Sequence, residues 1–362
     1  MRFITPSFPS NGFDLPDLNA VIPATSPAVA LDCQQPSGEE YAEYLQAIVD
    51  HHELPVVTGV GVKSVERRSA DVPEADAVAV DGGNSDVFHL QTSEGTVRSR
   101  FVVWAGGQFG TPRTDVLPGS ELCLHNAEVD SWADHVTTSS ADEFLIAGGF
   151  ESGIDAAVNL LEQGCSVTVL DRGHPWAVRH PDPSETLAPY TLQRLDEFRE
   201  SDRLTLIGGA DVQRVERIDD GRFTVHARPV KNDPVHEAGP AASEWEEHEN
   251  GEFTVPARPI LATGFDSDLG PAEELFPREA GSITLTDRDE SPTTPGLFLT
   301  GPEVEHNGQL FCFIYKFRTR FPVIAEEIGQ RLGIDTEALE RYREANMFLE
   351  DLDCCEPIDC NC

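Results

Sequence analysis

Phe144-Leu145-Ile146-Ala147-Gly148-Gly149-Phe150-Glu151-Ser152-Gly153-Ile154 is the stretch on which the fold turns. A short apolar strand runs into a glycine-bearing turn, and a new periodicity begins beyond it. Ile154, Ala157, Val158 and Leu161 recur at i, i+3, i+4 and i+7, one face of a helix. Gly164 stops that helix, and Ser166–Leu170 supplies a second apolar run. The pattern predicts a βαβ unit over 142–172. A dinucleotide pyrophosphate needs backbone N–H groups at a helix N-terminus and a turn free of bulky Cβ atoms. Gly148 suits the tight turn and Gly153 the close helix–strand approach, with Gly149 and Ser152 between them as further candidates. Phe150 stands where G-x-G-x-x-G has its middle glycine, so the weight rests on the position between strand and helix.

The second strand ends Val169-Leu170-Asp171-Arg172. An acid here accepts from the ribose 2′-OH of NAD, whereas an arginine accommodates the 2′-phosphate of NADP. Both are present. An aspartate is unremarkable in so acidic a chain and an arginine is not, so Arg172 tips the reading to NADP. NAD stays open, as does a plain surface ion pair for Arg172.

Outward from this unit the pattern is α/β. On the N-terminal side, 1–36 is irregular. Ser37-Gly38-Glu39-Glu40 opens a helix with Tyr41, Leu45 and Ile48 on one face. β-type runs follow at Val56–Val57, Val60–Val65, Asp86–Gln91 and Val97–Trp104, with a turn at Asp81–Ser85. On the C-terminal side, strands are expected at Leu204–Ile207, Val212–Ile218 and Phe223–Ala227, then a solvated loop over 229–252. Apolar strands or turns at Pro259–Gly264, Ile283–Leu285 and Gly296–Gly301 come next, and helices at 317–332 and 336–350.

The chain has 362 residues, 39% apolar, with 64 Asp+Glu against 26 Lys+Arg and a net charge of −38. Such self-repulsion is relieved by salt, which suggests a halophilic protein from a salt-rich cytoplasm. It argues against nucleic acid, whose phosphates require a basic face. No apolar run approaches the roughly 18 residues of a membrane span, and the start lacks a signal peptide's apolar stretch, so no membrane is expected and the cytoplasm is the default. Of eight cysteines, Cys33, Cys123, Cys165 and Cys312 are scattered, and Cys165 reads as a small packed residue. Cys354, Cys355, Cys360 and Cys362 crowd the end. Four thiols so close could wrap a soft metal such as Zn or Cu(I), form a thiol–disulfide pair, or be an inert tail.

Phe101–Gly107, the Gly148–Arg172 unit, Leu261-Ala262-Thr263-Gly264-Phe265 and Pro295-Gly296-Leu297-Phe298-Leu299-Thr300-Gly301 fall in a telling order. Over roughly 1–332 the chain resembles flavin-containing monooxygenases and thioredoxin-reductase-like pyridine-nucleotide flavoprotein oxidoreductases, bacillithiol-disulfide-reductase-like members above all, which share Asp155-Ala156-Ala157 after the turn. The resemblance implies two nested Rossmann-like domains binding FAD and NAD(P). The expected division is 1–114 and 263–333 for the FAD-type domain, 115–262 for the NAD(P) domain, and 334–362 for a C-terminal helix and Cys-rich tail. It also implies Thr263 and Gly264 at the domain crossover and Gly301 near the flavin. The family's opening strand–GxGxxG–helix is not found, so the first βαβ of the FAD domain is expected to be missing. A separate chain could supply that unit, and a homo-oligomer is another option. Pro302 stands where thioredoxin reductases have Asp, with Glu303 beside it, and the internal C-x-x-C is absent.

The implied function is NADPH-dependent flavoprotein oxidoreduction of a small-molecule substrate, monooxygenase-like. Two alternatives stay open: a disulfide or metal reductase using the terminal cysteines, and a flavin-free NADP- or metal-binding protein. No catalytic residue can be named. The run Leu310–Phe317 reads as a buried segment at the start of the last helix, with Cys312 a buried thiol and His306 a polar loop residue.

Overall fold

The computed structural model describes residues 6–7, 16–69, 86–178, 186–230 and 251–352. The chain divides into two compact units, Met1–Gly110 with Ser267–Cys362, and Thr111–Asp266. The second is therefore an insert in the sequence of the first. Both are α/β, as the sequence implied.

In the first unit, helices α1 (Pro27–Leu31) and α2 (Gly38–His51) lead. Helix α2 starts where it does because Ser37 Oγ accepts the Glu40 N–H at 3.2 Å and the Glu40 carboxylate accepts the Ser37 N–H at 2.6 Å. This reciprocal cap satisfies two otherwise orphaned donors. The helix buries Tyr41 and Tyr44, whereas Leu45 is exposed, so the expected Tyr41–Leu45–Ile48 face is corrected. Both tyrosines can be buried because their hydroxyls are satisfied: Tyr41 donates to the Asn19 carbonyl at 2.8 Å, and Tyr44 meets Thr25 Oγ1 at 2.8 Å. Val56 and Val57 are exposed and lie in no strand; β-propensity alone does not make one.

An antiparallel meander follows, β1 (Val62–Ser69), β2 (Asp86–Thr92) and β3 (Gly95–Ser99), paired in that order. Strand β4 (Val102–Trp104) lies parallel to the strand Leu297–Leu299. Val65, Phe88, Val102, Phe276, Leu297 and Leu299 form the centre of this unit's core. The last long helix runs Phe321–Leu332, with Pro322 in its first turn and Gly333 closing it at φ +64°. The turns Ile314–Phe317 and Arg318–Arg320 precede it, so the helix is shorter than expected. The helix expected over 336–350 shrinks to Glu340–Glu344 behind a single 3₁₀ turn. Asn346 takes a left-handed φ of +54°, and the residues after it, to 352, lie in no helix or strand.

In the second unit a parallel sheet of five strands has the order β5 (Leu124–His125), β12 (Ile260–Leu261), β6 (Glu143–Ala147), β7 (Ser166–Leu170), β8 (Leu204–Ile207). Helices α3 (Trp132–Ser139), α4 (Glu151–Glu162) and α5 (Pro189–Asp196) accompany it. Phe144, Ile146, Val167 and Val169 pack on Ile154, Ala157, Val158 and Leu161 of α4. The opposite face, Leu145, Ala147, Leu170 and Leu261, is covered by an antiparallel meander, β9 (Ala210–Arg217), β10 (Phe223–Pro229) and β11 (Glu252–Val255). A parallel sheet covered on both sides needs apolar residues on both faces, which is why Phe144–Ala147 of β6 reads as an unbroken apolar run. Most of the loop expected over 229–252 and the turn at Asp81–Ser85 lie outside the described residues. Among those described, no helix is long and apolar enough to cross a membrane.

Candidate functional site

The glycine turn joins β6 to α4 at the carboxyl edge of the parallel sheet. Gly148 has φ +104°, and a Cβ there would stand 2.4 Å from the Ala262 carbonyl oxygen. A Cβ on Gly153 would lie 1.9 Å from the Gly148 carbonyl oxygen. Both glycines are thus demanded by close backbone approaches within the protein. Phe150 is the N-cap of α4 and offers no side-chain acceptor, so the helix presents an uncapped N-terminus. Its first-turn N–H groups have no partner inside the helix, and Ser152 sits half-buried among them.

Asp171 directly follows β7 and ties the turn together. Its carboxylate accepts the Gly149 N–H at 2.6 Å and the Gly173 N–H at 2.7 Å. Arg172 points outward, 78% exposed at its side chain, with Nε 3.4 Å from the Asp211 carboxylate. The neighbouring residues therefore divide the labour: Asp171 holds the backbone, and Arg172 keeps most of its guanidinium in solvent.

Sequence reading missed Glu151. Although it opens α4, its carboxylate turns inward, accepting the Ala188 N–H and the Thr191 hydroxyl, each at 2.5 Å. Burial pushes its pKa above the usual carboxylate range, against the pull of those two hydrogen bonds. A folded-state value above the unfolded one means the folded protein holds the proton longer. Stability is then greatest below the unfolded pKa and falls as pH rises through the folded one. Glu151→Gln should abolish that fall and be more stable than the parent at neutral pH, checked by thermal melts at a series of pH values. A pH profile unchanged by the substitution would refute this assignment.

The other expected residues fall elsewhere. The Thr263 hydroxyl donates to the Arg113 carbonyl at 2.6 Å, and the Gly264 carbonyl accepts the Arg113 N–H at 3.0 Å. His125 Nε2 also lies 3.0 Å from the Gly264 oxygen. These bonds join the chain where it enters and leaves the second unit. Gly301 belongs to the first unit, at φ +108° with open space where a Cβ would be. Near it, at the carboxyl end of the β4 pair, the Thr300 N–H donates to the Trp104 carbonyl at 2.9 Å. Among the described residues Trp104 Nε1 and Thr300 Oγ1 are buried without a partner, and orphans of this kind need a ligand or water to satisfy them.

His306 is not a polar loop residue. It is buried, with Nε2 2.5 Å from Asp289 Oδ1, and the same carboxylate takes two bonds from the fully buried Arg320 at 2.9 and 3.0 Å. Cys312 is only partly buried, and within the Leu310–Phe317 run only Phe311 is fully so. Cys165 packs in the core under α4 as expected. Burial pushes the Cys123 thiol up to about 11 and raises Cys165 as well. Neither should react with iodoacetamide in the native protein near neutral pH, because the thiolate is the nucleophile; rapid labelling of either, located by peptide mapping, would contradict this. Cys354, Cys355, Cys360 and Cys362 lie outside the described residues, and among the described ones no cluster suits a metal ion.

A parallel βαβ sheet, a glycine turn under an uncapped helix and an acid–arginine pair at the end of the second strand define a dinucleotide-binding α/β protein. A family model described as pyridine nucleotide-disulphide oxidoreductase matches residues 1–301. The chain belongs to that family and is an FAD/NAD(P)-dependent oxidoreductase by class. It is 22% identical over 250 residues to bacilliredoxin reductase of Bacillus subtilis (strain 168), spanning 68% of this chain and 67% of the relative. Bacillithiol disulfide reductase from Staphylococcus aureus superposes with TM-score 0.60 at 17% identity, covering 90% of this chain and 84% of that one. The ornithine N-hydroxylase of Kutzneria sp. 744, solved with reduced FAD, NADP+ and L-ornithine, gives TM-score 0.56 at 19% identity, covering 83% and 78%.

Proposed function

We propose that the protein draws hydride from NADPH and delivers the electrons, by way of FAD, to a small-molecule acceptor. The observation that carries this reading is the Gly148–Gly153 turn under the open N-terminus of α4, closed from below by Asp171. When bound, the nicotinamide supplies the hydride and the flavin takes it up and releases electrons to the second substrate. This chain's own residues bind and orient. The first-turn N–H groups of α4 and the Ser152 hydroxyl face the pyrophosphate, where the helix dipole favours negative charge. Gly148, Gly149 and Gly153 let the turn pack closely beneath α4, since Cβ atoms there would strike the Ala262 carbonyl, the Trp176 ring and the Gly148 carbonyl. Arg172, outward and solvated, meets the 2′-phosphate, while the Asp171 carboxylate is occupied by two backbone N–H groups. In the first unit, Gly301 would leave room for the flavin, and Trp104 Nε1 and Thr300 Oγ1 would be donors toward it. Thr263 is committed to Arg113 and, with Gly264, serves the crossover.

A monooxygenase-like acceptor, oxygen with an organic substrate, is the leading reading. Likeness to bacilliredoxin reductase favours a disulfide as the second. NADPH of this kind comes from the cytoplasmic pool, and there we place the enzyme. Anaerobic addition of NADPH to the flavin-loaded protein should bleach its yellow absorbance, and NADH should do so more slowly. No bleaching would refute the reading; recovery of colour with oxygen or with a disulfide then separates the two acceptors. Arg172→Ala should weaken NADP+ binding by one to two decades, as expected for a charge-assisted contact of about 1.5–3 kcal/mol, and leave NAD+ nearly unchanged. Equal losses for both nucleotides, measured calorimetrically, would make Arg172 structural.

A further inference from the structure

Arg172 does not stand alone beside Asp211. The loop after β7 is bonded to the end of β8 and to the meander: Asp171 N–H donates to the Ile207 carbonyl at 3.0 Å and Ala210 N–H to the Asp171 carbonyl at 2.7 Å. Gly209 N–H reaches the Gly173 carbonyl at 3.1 Å, and Val230 N–H reaches the Gly209 carbonyl at 2.9 Å. These bonds bring the start of β9 and the end of β10 against the loop that carries Arg172. Across those two strands Arg228 is the register partner of Asp211. Its Nε and Nη2 lie 3.2 and 3.1 Å from Asp211 Oδ2, while Arg172 approaches Oδ1. Gln213 Nε2 donates to the same carboxylate at 2.7 Å and fixes it from behind.

One carboxylate, 18% exposed, thus holds two guanidiniums that are 78% and 68% exposed. The pair outnumbers its acid in a chain where acids outnumber cations by 64 to 26. Asp171, the carboxylate adjacent to Arg172 in sequence, is engaged by the Gly149 and Gly173 N–H groups. Two largely exposed forks held on one carboxylate match a phosphate dianion better than either alone.

We propose that Arg228 is a specificity-determining residue, forming with Arg172 a two-arginine clamp for the 2′-phosphate of the nucleotide, with Asp211 positioning both. This rests on the NADPH reading above and adds a residue from a strand outside the βαβ unit. Because Arg228 is largely exposed at a strand end, its replacement should not compromise folding, which a thermal melt verifies.

The test is calorimetric titration of the full chain with 2′,5′-ADP, ADP, NADP+ and NAD+. Arg228→Ala should weaken 2′,5′-ADP and NADP+ by about tenfold or more, with ADP and NAD+ unchanged, and Arg228→Lys should recover part of the loss. The difference between parent and variant should shrink as salt rises, since exposed charges are screened. Loss for Arg172→Ala with Arg228→Ala indistinguishable from the parent would overturn the clamp and leave the NADPH reading intact. Equal weakening of NADP+ and NAD+ would overturn it too, by showing a structural role. A parent that binds ADP as tightly as 2′,5′-ADP would refute the NADPH reading itself, and the clamp with it.

Discussion

Replacing Arg320 by methionine should destabilise the first unit by roughly 3–5 kcal/mol, the loss expected when one partner of a buried ion pair is removed. Arg320 and Asp289 are both fully buried and share two hydrogen bonds, and His306 supplies the third contact to the carboxylate. Arg320 also donates to the carbonyls of Leu349 and Asp287, each at 2.5 Å. It therefore ties the chain that follows the last helix to the turn that carries Asp289. In Arg320→Met the carboxylate keeps only His306 and two carbonyls lose their donors. Adding Asp289→Asn should return part of the loss, because a neutral amide costs far less to bury than an uncompensated carboxylate. Asparagine also tolerates the left-handed backbone, φ +62°, that position 289 requires. Denaturant unfolding followed by hydrogen exchange in the first unit measures both variants. A loss below about 1 kcal/mol for Arg320→Met would show that the pair contributes little beyond its own desolvation.

That cluster was invisible in the sequence for a physical reason. Asp289 and His306 are 17 residues apart and Asp289 and Arg320 are 31 apart; the first two fall in no expected strand or helix, and Arg320 falls inside the expected helix over 317–332. In a chain with 64 acidic residues, a single aspartate carries no mark of burial. The one available signal was Arg320 itself, a cation directly before the apolar face of Phe321, Ile324 and Ile328. By contrast, the βαβ unit was legible because its information is local: a strand, a turn and a helix within about 30 residues, each with its own periodicity. Arg172 was readable from its place at the end of β7. Arg228 was not, since only the register of β9 and β10 places it beside Asp211. Glu151 looked like an ordinary acidic first-turn residue, and only the approach of Ala188 and Thr191 turns it inward.

Gly153→Ala should remove nucleotide binding, by two decades or more on the scale where each decade is about 1.4 kcal/mol. The added methyl would sit 1.9 Å from the Gly148 carbonyl oxygen, 2.9 Å from its carbon and 3.3 Å from Ala262 Cβ. The first two are backbone atoms of the turn itself and cannot swing aside as a side chain would. To admit the methyl, α4 must lift from β6 or the turn must open. Lifting exposes Ile154, Ala157, Val158 and Leu161, now 0–1% exposed, so stability falls together with affinity. Opening the turn displaces the first-turn N–H groups from the pyrophosphate they are to meet, and hydrogen bonds weaken steeply with distance and angle. Gly148 is under the same constraint: its missing Cβ faces the Ala262 carbonyl, so Gly148→Val would strain the fold as well as the site. Gly164→Ala is the control. It also places alanine at a positive φ, +88°, but into open space, so it should cost only about 1–2 kcal/mol of backbone strain and leave nucleotide affinity unchanged. Titration of both folded variants with NADP+ decides the matter. Parent-like affinity in Gly153→Ala would mean that the turn yields without cost, and that the close packing of α4 on β6 is not what shapes the site.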